Sequence, residues 1–355
     1  MNKRFWSQRI QSLVPYTPGE QPRGQVFIKL NTNENPYPPS PKVLQAIRQA
    51  TDEGLRLYPD PESLALRQAI ARFHGLSPEQ VFCGNGSDEV LGLCFYAFFT
   101  PGRPVIFPDI TYSFYPVYAR LFQLDYREIP LEEDFSFPVE QFLAPCGGAV
   151  VCNPNAPTGK TLPLEAIRRI LEAHPDQVVM VDEAYADFGA QSAVPLLKEY
   201  PNLVVIHTLS KSRSLAGMRL GYALGSPELM AAVNCVKNSF NSYPIDRLAQ
   251  AAGVAAMEDV PYFQETCRKI IATRQHTVQV LREMGFSVLD SCTNFIFISH
   301  PAKSGPQLQL ALRERGVLVR RFDSPQRIRD CLRVSIGTDQ EMQAMCAACQ
   351  DILKG

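Results

Sequence analysis

Residues Thr208 to Gly221 read T-L-S-K-S-R-S-L-A-G-M-R-L-G and follow the run Leu203 to Ile206, Leu-Val-Val-Ile. A short unbroken aliphatic run marks a strand buried on both faces, as in a parallel sheet. The ligand crevice of an open α/β sheet lies beyond the carboxyl ends of its strands, so Lys211, flanked by Ser210 and Ser212, stands where a bound molecule is met. A desolvated lysine near other cations gives up its proton more readily, and the neutral amine attacks aldehydes. Lys211 is therefore the first catalytic candidate, against the alternative of a solvated loop lysine.

The chain of 355 residues is too long for one hydrophobic core, which implies one large and one smaller domain. Lysine and arginine total 35 against 36 aspartate and glutamate, a balance that argues against nucleic acid or an anionic membrane as partner and leaves anion binding to local clusters. No apolar run approaches the roughly 18 residues of a membrane span, and the start M-N-K-R-F-W-S-Q-R-I lacks a signal-peptide core, so a cytoplasmic protein is expected. The ten cysteines lie scattered in apolar stretches, as reduced core residues do. Cys346 and Cys349 form a lone C-x-x-C in a helix-like tail, and the five histidines show no ligand spacing, so no metal is expected.

Residues 1 to 40 are rich in proline and asparagine and form an arm that wraps over other parts of the molecule. Helices are predicted over Pro41 to Ala50, with its proline at the start, and over Glu62 to His74. Strands follow at Val81 to Cys83, Val105 to Phe107, Gly148 to Cys152 and Gln177 to Val181, each alternating with a helix. That alternation predicts an α/β domain with a mostly parallel sheet flanked by helices, over 41–255. Beyond it come helices at Pro227 to Asn238, Leu248 to Met257 and Tyr262 to Met284, then half-buried strands at Asn294 to Ile298, Gly316 to Arg320 and Cys331 to Ile336. These define a smaller α+β domain over 256–355, joined by the arm, so that both termini build it.

The polar residues at the strand ends form a set. Gly84 to Glu89, G-N-G-S-D-E, is a glycine turn opening a helix, which presents free N–H groups and a positive dipole end to a phosphate; Glu89 stands where a dinucleotide turn has its third glycine. Asp182, ending an apolar strand, needs a cation if it is buried, or else serves as a helix N-cap. Tyr112, Asn153 and Tyr185 stand at neighbouring ends, and Arg219 offers a two-pronged phosphate contact. Pyridoxal 5'-phosphate matches these groups: its aldehyde takes a lysine, its ring nitrogen a carboxylate, and its phosphate N–H donors, hydroxyls and an arginine. Gly86, Ser87, Asp88, Ser210 and Arg219 are the phosphate candidates. Tyr112 stacks on the ring, and Tyr185 and Asn153 donate to its phenolic oxygen.

Taken in order, N-E-N-P-Y, Y-P-D-P, G-N-G-S-D-E, N-P-N-x-P-T-G, V-D-E-A-Y, T-L-S-K-S-x-x-L-A-G-x-R-x-G and C-L-R-V-S-I-G-T resemble the fold-type I, class II aminotransferases over essentially the whole length, and among them the histidinol-phosphate aminotransferases. The resemblance implies that Lys211 bonds the coenzyme, that Asp182, Tyr185, Asn153 and Tyr112 hold its ring, and that Tyr58 reaches the phosphate in a neighbouring subunit, making a homodimer. It further implies that Arg333 binds a substrate carboxylate, with glutamate as amino donor. Arg320 faces the anionic end of a phosphorylated imidazole substrate, and Tyr16 and Asn33 line the same pocket. Arg321 receives no role. Two other enzymes share the requirements, a threonine-phosphate decarboxylase and an aromatic amino-acid aminotransferase. A pyridoxal-dependent regulator needs a further amino-terminal DNA-binding domain, for which the 40 residues before the first helix leave no room.

Overall fold

The computed structural model describes residues 4–11, 13–22, 24 and 26–354. Its strands, in chain order, are β1 (Ile28–Leu30), β2 (Val81–Asn85), β3 (Val105–Pro108), β4 (Tyr126–Ile129), β5 (Gly148–Cys152), β6 (Val179–Asp182), β7 (Leu203–Thr208), β8 (Leu220–Leu224), β9 (Ser287–Val288), β10 (Phe295–Ser299), β11 (Val317–Arg321) and β12 (Leu332–Ser335). Seven of them form one sheet in the order β2-β8-β7-β6-β5-β3-β4, and five form a second in the order β1-β11-β12-β10-β9.

In the large sheet β4, β3, β5, β6 and β7 run parallel, and only β8 runs against its neighbours β7 and β2. The central strands are apolar on both faces because helices cover both. On β6, Val179 and Val181 join the core beneath the helices Leu64–His74, Leu164–Ala173 and Arg247–Glu258, while Met180 points the other way. That opposite core is continuous with Phe295, Val317 and Val334 of the second sheet, so one apolar interior runs from the large sheet into the small one.

Among the strands not legible in the sequence are β1, inside the proline-rich arm, β4 and β8. β4 is a half-exposed edge strand, Tyr-Arg-Glu-Ile, whose charges blunt an open edge and hide its periodicity. β8 contains Gly221, and a Cβ there would lie 2.3 Å from the Ser87 nitrogen and 2.5 Å from the Gly86 carbonyl carbon. The glycine that weakens the strand signal is what lets β8 lie against the start of the helix Gly86–Phe98. That helix begins four residues earlier than the apolar run from Val90 suggests. Glu89 explains the turn, since its Oε2 accepts the Asn85 N–H at 2.6 Å and gives that end of the helix a charged partner.

Residues Asn31 to Asn35 leave β1 and pass over the carboxyl ends of the large-sheet strands. β1 pairs parallel with β11, which anchors this part of the arm to the small sheet. No helix among the described residues is long and apolar enough to cross a membrane, and no group of three or more His, Cys, Asp or Glu among them could hold a metal ion.

Candidate active site

One cavity opens at the carboxyl ends of β5, β6 and β7. Asp182, Tyr185, Ser210 and Lys211 line it from the strand ends, and Ser87 and Asp88 line it from the first turn of the helix Gly86–Phe98. Tyr112 and Arg219 close the sides, while Tyr16, Asn33, Arg320 and Arg333 face it from the arm and the small sheet. Gly86 has a backbone φ of +81°, a conformation that favours glycine, and a Cβ on it would fall 2.5 Å from Arg219 Nη2 and push that guanidinium aside.

Asp182 is 3% exposed. Its Oδ2 accepts the Tyr115 hydroxyl at 2.8 Å and its Oδ1 the Ala184 N–H at 3.1 Å. Burial pushes its carboxyl up to about 6, against the downward pull of those two donors. No lysine or arginine among the described residues forms an ion pair with it, so it is a buried acid lacking the cation that would stabilise its charge.

Lys211 presents the opposite charge in the same cavity. Its Nζ donates to the Thr32 carbonyl at 3.2 Å and sits 5.9 Å from the Tyr185 ring centre. Burial, and next the Arg333 guanidinium, bring the amine down to about 8, while Glu34 and Asp88 pull the other way. The amine is thus largely protonated at pH 7 and largely neutral above about 8. The rate at which coenzyme-free protein captures an aldehyde should rise about tenfold per pH unit up to that value and then level off, which stopped-flow absorbance measures. A flat profile from pH 6 to 9 contradicts a perturbed Lys211.

Asp88 organises the phosphate side. Its Oδ1 accepts the Tyr112 hydroxyl at 2.6 Å, its Oδ2 lies 3.4 Å from Arg219 Nη2, and its main-chain oxygen accepts the Tyr118 hydroxyl at 2.7 Å. Tyr112 and Arg219 are therefore set by one side chain at a helix amino terminus. On the small sheet, Arg320 and Arg333 are register partners across β11 and β12 and share a face. Arg333 Nη2 donates to the Asn31 carbonyl at 3.0 Å, and its buried Nε has no partner. Arg320 spends its hydrogen bonds on the Thr17 and Pro18 carbonyls at 3.2 and 3.4 Å. Neither arginine has a carboxylate partner among the described residues, which leaves two cations for anionic ligands. Arg321 lies on the other face, bonded to Gln309 and Asp323 at 3.1 and 2.6 Å, and is structural.

Asn153 is a correction. It does not line the cavity: its Nδ2 donates to the Leu162 carbonyl at 3.0 Å and its Oδ1 accepts the Leu162 N–H at 2.8 Å. The amide closes the turn after β5, while Tyr185 lines the cavity. Tyr58 also lies away from this cavity, 81% exposed and stacked on Tyr243 at 4.7 Å. Tyr16 packs against Phe114 with ring centres 4.6 Å apart, which fixes the arm beside the cavity.

The sequence reading missed two contributors. Tyr115 is fully buried beneath Asp182; it stands three residues after Tyr112 and gives no signal apart from the core. Asn35 donates to the Lys211 carbonyl at 2.9 Å and to that of Ser212 at 3.3 Å, while Ser212 Oγ donates to Asp187 at 2.5 Å, so the lysine's main chain is held from both sides.

Pyridoxal phosphate fits these residues. The uncompensated buried acid Asp182 suits a protonated ring nitrogen, and the glycine-floored turn with Ser87 and Arg219 suits a phosphate. The chain belongs to the class I and II aminotransferases, whose family profile matches residues 25–348. Among its relatives are a histidinol-phosphate aminotransferase of Marinomonas sp., 55% identical over 97% of this chain and 98% of the relative, and a second of Thiobacillus denitrificans, 54% identical over 99% and 97%. Among solved structures it is similar to the histidinol-phosphate aminotransferase of Sinorhizobium meliloti in complex with pyridoxal-5'-phosphate, with a TM-score of 0.86 and 27% identity over 99% of this chain and 98% of that one.

Proposed function

We propose that this chain is a pyridoxal-phosphate-dependent transaminase that moves an amino group between glutamate and 2-oxoglutarate on one side and histidinol phosphate and imidazole-acetol phosphate on the other. The observation that carries this reading is one buried acid, one depressed lysine and two carboxylate-free arginines facing a single cavity. When bound, the coenzyme supplies an aldehyde that takes up amines and a ring that withdraws electrons from the carbon next to nitrogen.

The chain's own residues do the rest. Asp182 would keep the ring nitrogen protonated, and Tyr185 would donate to the ring oxygen. Ser87, Ser210, Arg219 and the N–H groups of Ser87 and Asp88 would hold the phosphate, and Tyr112 would pack against the ring. Asn35 and Thr32 hold Lys211 in the cavity, where its amine, when free, would carry a proton between substrate and coenzyme carbons. Arg333 and Arg320 hold the substrate's anionic ends, a carboxylate in one half-reaction and a phosphate in the other.

A second copy completes the site in this reading. Leu55, Leu57, Tyr58 and Phe240 are each at least half exposed, and such apolar side chains suit cover by a partner subunit. Tyr58 then reaches the partner's coenzyme phosphate. The test is to add histidinol phosphate and 2-oxoglutarate to the purified protein and follow glutamate formation. Turnover of histidinol phosphate is expected well above that of phenylalanine. Preference for phenylalanine, or carbon dioxide release from threonine phosphate, contradicts the assignment.

A further inference from the structure

Asn33 sits in the cavity wall with a backbone φ of +56° and 1% of its surface exposed. Its Nδ2 donates to the Tyr185 hydroxyl oxygen at 3.0 Å. The amide is itself held: Ser335 Oγ donates to Asn33 Oδ1 at 3.1 Å and accepts the Asn33 N–H at 2.8 Å, and Asn294 Nδ2 donates to the Asn33 carbonyl at 2.9 Å. With Oδ1 engaged by a hydroxyl donor, the amide presents N–H, not oxygen, to the phenol.

A phenol hydroxyl lies near its ring plane and has two orientations. The Asn33 donor occupies one of them, and no protein acceptor among the described residues takes the phenol's own proton. We propose that Asn33 is a positioning residue that turns the Tyr185 hydroxyl so that its proton points into the cavity, and that it ties this direction to β12, the strand carrying Arg333. The tie is geometric: Ser335 follows Arg333 by two residues and so lies on the same face of β12, and the preceding arm residue Asn31 accepts from Arg333 itself. The strand that meets the substrate carboxylate thus also sets the donor at the coenzyme ring. The inference rests on the proposed role of Tyr185 toward the coenzyme.

The charged and titratable groups facing Tyr185 are Lys211 from the loop after β7, Arg333 from β12, Asp182 from its own turn and Cys152 from β5. Burial pushes the phenol up to about 12, so it stays a donor throughout the range of the experiment. A donor aimed at the coenzyme's phenolic oxygen favours its ionised form and keeps the midpoint of its visible pH titration low.

The test is that titration on the coenzyme-loaded protein, in Asn33→Gly and Asn33→Asp, alone and combined with Tyr185→Phe. Both replacements tolerate positive φ, so backbone strain is not introduced. Asn33→Gly is expected to raise the midpoint by about half a pH unit. Asn33→Asp, whose carboxylate draws the phenol's proton away from the cavity, should raise it by about one unit, close to the shift in Tyr185→Phe. In the Tyr185→Phe background neither change adds a shift. If Tyr185→Phe shifts the midpoint and Asn33→Asp leaves it unmoved, or shifts it equally without Tyr185, the inference is overturned while the role of Tyr185 stands. If Tyr185→Phe itself produces no shift, both fall.

Discussion

Lys211→Ala is expected to lower kcat about 10⁴-fold, the upper end of what a positioned proton carrier contributes, while the protein keeps its fold. The reason is that no second lysine among the described residues lines the cavity: the other cations facing it are arginines, which do not give up a proton near neutral pH. The fold should survive because the lysine is not a stabilising group at pH 7. Its amine is depressed to about 8 from an unfolded value near 10.5, so folding releases a proton between those values and the buried charge works against folding below about 8. Removing it should leave the melting temperature of the coenzyme-free protein at pH 7 unchanged or higher. A large drop in melting temperature would mean that Lys211 is a structural ion-pair partner, and turnover within tenfold of the parent would remove it from the chemistry.

The second large effect is Asp182→Ala, which should weaken coenzyme binding by roughly 10²- to 10⁴-fold, as expected when one partner of a buried charge pair is removed at about 3–5 kcal/mol. The sign of its stability effect reverses with occupancy. The Asp182 carboxyl is raised to about 6 in the folded state, so the coenzyme-free folded protein binds more protons than the unfolded chain between about 4 and 6. Its stability therefore falls as pH rises through that window, and above it the charged, cation-free acid is a burden. Coenzyme-free Asp182→Ala should melt no lower than the parent at pH 7.5, apart from the small cavity left. The parent should gain several degrees on adding coenzyme and the variant almost none. Equal coenzyme-induced shifts in both proteins would mean that Asp182 faces no cation.

The parts of this molecule legible in the sequence are those where one physical requirement dominates. The buried parallel strands announce themselves as aliphatic runs because both faces need covering, and the polar residue ending each run falls at the crevice for the same reason. Hence the sequence alone places Asp182 and Lys211 beside one crevice. Residues with two roles were harder to read. Gly221 both weakens β8 and admits the helix beside it, so the strand was hidden. Asn153 has the chemistry of a ring donor, yet its amide is closed on the backbone of Leu162, a contact nine residues away that no local pattern reveals. Asn33 and Asn35 act through long-range hydrogen bonds to Tyr185 and Lys211, and the proline-rich arm that carries them has no periodicity from which to set its register. Arg320 and Arg321 are adjacent in sequence but separated by the alternation of a strand, which sends one to the cavity and the other to Gln309.

The central claim is that one amine, Lys211, meets the coenzyme opposite the acid Asp182. It is tested most directly by adding pyridoxal phosphate, fixing any covalent bond with borohydride, digesting the protein and locating the added mass. A single labelled peptide spanning Lys211 is expected, with the label lost in Lys211→Ala and strongly reduced at low coenzyme concentration in Asp182→Ala. A label carried by another lysine, or one that persists undiminished without Asp182, would contradict it.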